Sequence, residues 1–416
     1  MFGLACAGCG AALTIPLAQV ALPAHAHQTF GNGVRLPVLM DPGTFAVEPE
    51  PWGPPWRRWE EVDPDEAAAR GIHAPLPALS DGAPGAVAIA PGDARGTVLI
   101  PEKGGGCYCG LGRGDGPNMA CEACGLPVGS RIDDCSVWQV VWFAPSAVHR
   151  RSVDDSGTGV LSWTELLAAG KGTPPVEPIT GWGSLSGRDH RWSWSPQWEA
   201  AAGRAPAHLL AASGGRPVTV PHGLTADVFQ RALDAPQPRV RPARRAGLAG
   251  PGLLSPGTDA DILLVPVHPQ TGEAWSPAGP ASSAYPVPLP FGVWRWMAHP
   301  EPHLALPASG TMPDGVLRDD PPAPRPDRPF RADPGTFRHT LARLPAVRTP
   351  WLREVLDNLA HHLRAGLFQP ADGAGTLRAA TERRRAVVPG EGVNIRCPAS
   401  SWASQRFPVS AVPRRR

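Results

Sequence analysis

The chain of 416 residues is long enough for two or three domains, and 42% of it is hydrophobic, which allows a sizeable core. Its 39 basic and 37 acidic residues leave a net charge of +2, so the overall charge favours neither nucleic acid nor an anionic membrane as a partner. The 53 prolines and 47 glycines predict many loops, because both residues are disfavoured inside helices and strands.

The N-terminal segment does not have the pattern of a targeting signal. Residues 11 to 22 are apolar, but no Lys or Arg precedes Arg35, whereas a secretory signal peptide begins with positive charge. No apolar run reaches the roughly 20 residues that a membrane-spanning helix needs. We therefore expect a cytoplasmic protein without membrane contact, whose cysteine thiols stay reduced and can bind a metal ion.

Two cysteine motifs repeat along the chain, LACAGCG at residues 4 to 10 and MACEACG at residues 119 to 125. A gap of two residues lets one tight turn direct both thiolates at a single metal ion, and the following glycine permits the positive φ that ends such a turn. Four thiolates would form a closed structural zinc site with no open position for water. The predicted zinc ligands are Cys6, Cys9, Cys121 and Cys124.

The two motifs resemble the paired knuckles of zinc-ribbon proteins, in which each knuckle lies at the tip of a short hairpin. The resemblance covers residues 1 to 24 and 117 to 145 and implies a ribbon split by a long insertion. Such an insertion is tolerable because the entropic cost of closing a loop grows only logarithmically with its length. We therefore predict an N-terminal part at residues 1 to 150 with an inserted β-rich subdomain at about 25 to 116.

The sequence also allows a second, competing set of metal ligands. Cys107 and Cys109 could join Cys121 and Cys124 in a local cluster. The first motif would then need other ligands, for which the candidates are Cys135, His25 and His27.

The segment between the motifs is mostly β in pattern. Residues 48 to 59 place three tryptophans among four prolines, which suits a rigid loop that packs the rings onto the core or, as the alternative, a recognition surface. Residues 63 to 71 predict a short helix, and residues 86 to 90 and 97 to 101 predict strands. After the second motif, residues 135 to 145 predict a further strand.

Residues 151 to 369 predict a second, Trp- and Pro-rich α+β domain. Ser162 and Glu165 form a capping-box pattern at the start of a short helix, and a second helix begins near Thr225. Residues 259 to 269 predict a buried strand, and residues 291 to 299 a second strand with both of its tryptophans on one face.

The clearest helix starts after Thr349, with Pro350 at its first position and Gly366 beyond its end. Proline- and arginine-rich residues 236 to 258 and 320 to 334 predict loops or linkers. Residues 370 to 416 lack periodicity and predict a disordered tail. The expected fold class is α+β, with a loop-rich, mostly β N-terminal part.

No complete catalytic motif is present. His299, Glu301 and His303 alternate in HPEPH and would share one side of an extended backbone, where they could bind a metal or transfer protons. Asp189 and His190 are further candidates without evident partners.

Three functions fit these patterns. The first is a protein-interaction or adaptor role, in which a structural zinc supports surfaces rich in Trp and Pro. The alternative is an enzyme whose active site is assembled from scattered residues of the α+β region, including the histidines and Asp189. The second alternative is nucleic-acid binding through the ribbon, which the lack of a dense basic patch beside either motif disfavours.

Overall fold

A computed structural model describes residues 1 to 365 except 30–33, 77–78, 104–110, 113–115, 135–136, 154–158, 170–175, 182–189, 235–241, 254–259, 301–329 and 331. Helices and sheets occur together, so the predicted α+β class is confirmed. The predicted tail at 370 to 416 lies outside the described residues. Within the described residues, no helix is long and apolar enough to cross a bilayer.

The first part of the chain is mostly β. Its strands are β1 Phe2–Cys6, β2 Ala18–Gln19, β3 Val34–Arg35, β4 Thr44–Val47, β5 Trp56–Arg57, β6 Leu79–Ser80, β7 Val87–Ile89, β8 Thr97–Leu99, β9 Met119–Cys121, β10 Pro127–Ile132, β11 Val140–Phe143 and β12 Val148–Ser152. One helix, α1 Pro64–Ala69, lies among them, where Pro64 follows the N-cap Asp63. The helix and strands predicted from 63 to 145 are therefore found, some of them shorter than expected.

The later part alternates helices and strands. The helices are α2 Trp163–Ala168, α3 Pro196–Ser213, α4 Leu224–Asp234, α5 Phe291–Ala298, α6 Pro334–Arg343 and α7 Pro350–Ala365. The strands are β13 Val176–Gly181, β14 His190–Trp194, β15 Val218–Thr219, β16 Arg244–Leu248, β17 Ile262–Val267 and β18 Tyr285–Pro290.

A seven-stranded sheet in the order β2-β4-β7-β11-β10-β9-β8 organises the first part. Its residues alternate between two faces, so Phe45 and Val141 enter one core and Ala46 and Trp142 enter another. The first of these cores also contains Cys6 and Cys121, which places the two cysteine motifs against one face of the sheet. β1 pairs separately with β12 as an antiparallel ribbon.

A four-stranded parallel sheet in the order β15-β16-β17-β18 organises the later part. Its strand β17 is buried on both faces, with Ile262 and Leu264 directed into the largest core and Leu263 and Val265 into a smaller one. The largest core also takes apolar residues from positions 62 to 79. The domain boundary near residue 150 stays a prediction.

The strand predicted at 291 to 299 is wrong, because these residues form helix α5. Two tryptophans at alternate positions suggested a strand, yet the buried residues are Phe291, Val293, Trp294 and Met297, which follow helical spacing. The Trp294 ring is fully buried, and its Nε1–H donates to the carbonyl oxygen of Ala249 at 3.0 Å.

The linker predicted at 236 to 258 is also wrong in part. Its residues 244 to 248 form β16, which lies between β15 and β17 in the parallel sheet. The backbone N–H of Arg245 donates to the carboxylate of Asp261, next to the pairing of β16 with β17. The strand therefore begins with polar residues and continues with apolar ones. The residues 320 to 329 of the second predicted linker lie outside the described residues, and α6 starts at Pro334.

Candidate metal centre

The four cysteines of the two motifs meet, although 112 positions separate Cys9 from Cys121. Their Sγ atoms all lie within 4.8 Å of one another. Cys6 and Cys121 are buried, whereas Cys9 and Cys124 are exposed, so one thiol of each pair faces the core and the other faces solvent. Among the described residues, this is the one group of three or more His, Cys, Asp or Glu side chains whose arrangement could hold a metal ion.

The two turns that carry the thiols are built alike. In the first, the N–H of Cys6 donates to the carbonyl of Ala11 and the N–H of Gly10 donates to the carbonyl of Cys6, both at 2.8 Å. In the second, Cys121 bonds in the same way to Leu126 and accepts from Gly125, again at 2.8 Å.

Both closing glycines have a φ of 75°, a left-handed conformation that side chains with a Cβ rarely adopt. The sequence repeat therefore corresponds to a repeat of backbone geometry. Each turn lies at the end of a strand, since Cys6 ends β1 and Cys121 ends β9.

The sulfur spacing matches that of a tetrahedral four-thiolate site. The Sγ atoms of Cys6 and Cys124 lie 3.6 Å apart, and those of Cys9 and Cys121 lie 3.7 Å apart. Four ligands at the usual zinc–sulfur distance of about 2.3 Å place sulfurs about 3.8 Å from one another. The four thiols are thus close enough together to hold one metal ion, and two of their spacings match those around zinc.

Because the thiols lie close together, Cys6 and Cys124 have different pKa values. Burial raises the pKa of Cys6, but hydrogen bonds from the backbone of Cys9 and Gly8, together with the neighbouring thiols, outweigh burial and lower this pKa to about 7. A backbone hydrogen bond from Leu126 lowers the pKa of Cys124, but the neighbouring thiols of Cys9, Cys6 and Cys121 and partial desolvation raise it to about 12. One thiolate therefore opposes ionisation of the next, and a divalent cation would remove that opposition.

Sequence reasoning missed Arg151, which contacts the first knuckle. Strand β12 pairs with β1, so that Arg151 lies opposite Gly3. A Cβ on Gly10 would lie 2.8 Å from Nη2 of Arg151, which places the guanidinium directly over the turn. No local pattern predicts this contact, because the strand pairing joins residues more than a hundred positions apart.

Of the other ligands considered for a metal site, those that the structure describes do not join the four cysteines. Cys107, Cys109 and Cys135 lie outside the described residues. His25 packs edge-on against the ring of Trp138, and burial lowers its pKa to about 4. Nε2 of His27 lies 2.5 Å from a carboxylate oxygen of the buried Glu48.

The residues predicted for an enzyme site do not come together among the residues that the structure describes. Asp189, Glu301 and His303 lie outside them, His190 begins β14, and His299 follows the last turn of α5 with its ring near Trp294. The tryptophans are largely structural, because none whose side chain is described is exposed. The interpretation of the 48 to 59 segment as a packing loop agrees with this burial.

A cavity of about 520 Å³ beside the start of α2 contains a histidine that is already fully bonded. His268 Nε2 lies 2.8 Å from the carbonyl oxygen of Leu161, while Nδ1 accepts from the backbone N–H groups of Gln270 and Thr271. Both ring nitrogens are therefore engaged, so His268 has no nitrogen free for a metal or for proton transfer.

Comparison of the chain with models of known protein families, with curated proteins and with solved structures gives no match in any of the three.

Proposed function

We propose that Cys6, Cys9, Cys121 and Cys124 bind one Zn²⁺ as a closed structural site, and that the chain is a protein-interaction protein whose binding edge this zinc holds in place. The observation that carries the proposal is the tetrahedral spacing of the four sulfurs at the tips of two matching turns. Four thiolates complete the coordination of zinc, which leaves the metal a fold-stabilising role.

Metal analysis of the purified chain tests the first half of the proposal. We expect one zinc per chain in the wild type, loss of zinc in Cys121→Ser and retention of zinc in Cys107→Ser. Loss of zinc in both variants would move the site to the local cluster, and a wild type without zinc would refute the proposal.

The proposed interaction role rests on strand β8. In the described part of the chain, β8 is the last strand of the seven-stranded sheet and lies beside the metal site. Thr97 of β8 pairs with Cys121, so the strand is anchored where the second knuckle begins. Val98 and Leu99 leave 46% and 48% of their surfaces exposed, although both are large apolar residues. An exposed edge of this kind favours pairing with another chain.

The hydrogen-bond pattern of β8 supports an extended peptide segment as the partner. The N–H of Ile100 donates to Asn118 and that of Glu122 donates to Gly96, so the alternate residues Thr97 and Leu99 direct their backbone groups away from β9. We therefore propose that an extended segment of a partner protein adds to this edge as a further strand, with apolar side chains covering Val98 and Leu99.

A displayed library of linear peptides, selected on the zinc-loaded full chain, tests the edge. Leu99→Pro removes an outward-facing N–H and should weaken the selected peptide at least about tenfold, while the pairing with β9 is kept. Val160→Pro changes another exposed apolar residue and serves as the control. Equal binding to both variants, or no selected peptide, would contradict the role of this edge.

A further inference from the structure

The cavity of about 520 Å³ beside the start of α2 also borders the turn that follows β17. Its volume falls in the range of about 300 to 1,000 Å³ that small-molecule sites occupy. The lining comes from residues 160 to 165 and from residues 268 to 276. Neither the zinc ligands nor β8 contributes a residue to it, so a ligand bound there would not contact the metal site.

Hydrogen bonds hold the two lining segments together. The carbonyl oxygen of Leu161 accepts from Nε2 of His268 at 2.8 Å, and the N–H of Leu161 donates to Oε1 of Gln270 at 2.8 Å. The N–H of Trp275 donates to the carbonyl oxygen of Pro266 at 2.8 Å, which ties the end of the turn back to β17. The cavity is therefore formed before a ligand arrives, which reduces the entropic cost of binding.

Two half-buried tryptophans, Trp163 and Trp275, line the cavity. The ring centroid of Trp163 lies 5.0 Å from that of His268 and 6.2 Å from that of Phe291. Trp275 packs against the smaller core on β17. The fold thus holds both indole rings while part of each stays accessible from the cavity. Indole is the side chain whose π face attracts cations most strongly.

The charged groups that line the cavity are negative. Glu165 and Glu273 both contribute to the lining, and among the described residues no lysine or arginine does. The backbone N–H and the hydroxyl of Ser162 donate to Glu165, each at 2.7 Å, and these bonds hold the pKa of that carboxyl below its usual range. Nδ1 of His268 accepts from two backbone N–H groups, so the imidazole carries its proton on Nε2 and adds no positive charge. The lining therefore favours a cation as the ligand.

The apolar part of the lining favours an alkylated cation over a bare ammonium group. Val160 and Leu161 line the cavity with 66% and 37% of their surfaces exposed. Methyl groups on a ligand nitrogen would cover this apolar surface, whereas N–H groups would find no acceptor on these two side chains. A quaternary nitrogen has no N–H to satisfy, and aromatic rings are the surfaces that recognise it.

We propose that this cavity binds a small molecule that carries a quaternary ammonium group. The indole rings of Trp163 and Trp275 contact the cation. The carboxylates of Glu165 and Glu273, which belong to exposed residues, attract it electrostatically. The exposed apolar side chains at residues 160 to 161 cover its methyl groups.

Calorimetric titration of the zinc-loaded full chain with choline tests the proposal. We expect choline to bind with a Kd of about 1 mM or tighter. The neutral carbon analogue of choline, in which a tert-butyl group replaces the trimethylammonium group, has the same shape without the charge. It should bind at least about tenfold more weakly, because only a cation is attracted by the indoles and the carboxylates. Equal affinities for the two molecules, or no binding of choline, would overturn the proposal.

Two variants and one control assign the binding to this cavity. Trp275→Leu keeps an apolar side chain but removes the aromatic face, and it should weaken choline binding roughly tenfold. Glu273→Gln changes an exposed side chain and should weaken the binding several-fold with an unchanged circular dichroism spectrum. Glu60→Gln makes the same change at an exposed glutamate that does not line the cavity and should leave the affinity as in the wild type. Equal affinities of the Glu273→Gln and Glu60→Gln variants would contradict the assignment.

A trimethyl-lysine side chain of a partner protein carries the same cation as choline. A short peptide with this residue is therefore titrated in parallel, and we expect it to bind no more tightly than choline. Clearly tighter binding of the peptide would assign the cavity to a partner protein and would overturn the small-molecule assignment.

Discussion

Removal of the metal should lower the melting temperature of the protein by a calculable amount. A metal that joins the two knuckles closes a loop across the 112 positions from Cys9 to Cys121. By analogy with a disulfide, a cross-link that closes a loop of roughly 100 residues restricts the unfolded chain by about 4.7 kcal/mol. Each kcal/mol corresponds to about 2 to 4 °C for a domain of a few hundred residues, so the expected decrease is about 10 to 20 °C.

The assay is thermal unfolding followed by circular dichroism, with and without a zinc chelator. Cys121→Ser should melt like the chelated wild type and should show no further decrease on chelation. Cys397→Ser removes a cysteine that belongs to neither motif and should retain the full shift. If chelation removes the zinc and the wild type melts at an unchanged temperature, the cross-link reasoning is refuted.

Three further changes test the packing, a helix start and the pH dependence of stability. Trp294→Phe removes the hydrogen bond to Ala249 and leaves a void in the core, so urea unfolding should give a loss of about 2 to 4 kcal/mol; a loss below about 1 kcal/mol would contradict the burial. Ser162→Ala removes the cap of α2 and should cost about 1 kcal/mol, seen as faster amide exchange within that helix; unchanged exchange would show that the cap is dispensable. His208, whose pKa is lowered from 6.5 to about 4 on folding, contributes stability above pH 6.5 that is lost as the pH falls toward 4. His208→Gln should therefore reduce the acid-induced loss by on the order of 1 kcal/mol, whereas the same change at the exposed His149 should leave it as in the wild type.

Local rules in the sequence predicted the elements whose ends carry their own signals. The capping box at Ser162 forms as expected, with the Ser162 hydroxyl and the Glu165 carboxylate each accepting from the backbone of the other. Pro350 begins the last described helix, as its position after Thr349 indicates. The cysteine motifs predicted which four thiols meet because the repeated glycine specifies the same turn twice.

Elements whose identity depends on their surroundings escaped prediction. Helix α3 is buried on almost all sides and contains Pro206, so its sequence lacks the regular apolar and polar alternation that identifies a surface helix. Strand β16 starts with arginines that only the neighbouring strand explains. The contact between Arg151 and the first knuckle, and the ion pair of Arg343 with Glu50, depend on packing between distant segments.

The separation of the two knuckles along the chain has a consequence for protein synthesis. At a translation rate of about 5 to 20 residues per second, the 112 positions between Cys9 and Cys121 take roughly 5 to 25 seconds to synthesise. During that interval the first pair of thiols exists while the second pair has not yet been made. A metal ion bound during this interval would be held by two thiolates, with water or a small thiol completing its coordination. Such a metal ion can exchange until the second pair of cysteines is made and the sheet forms.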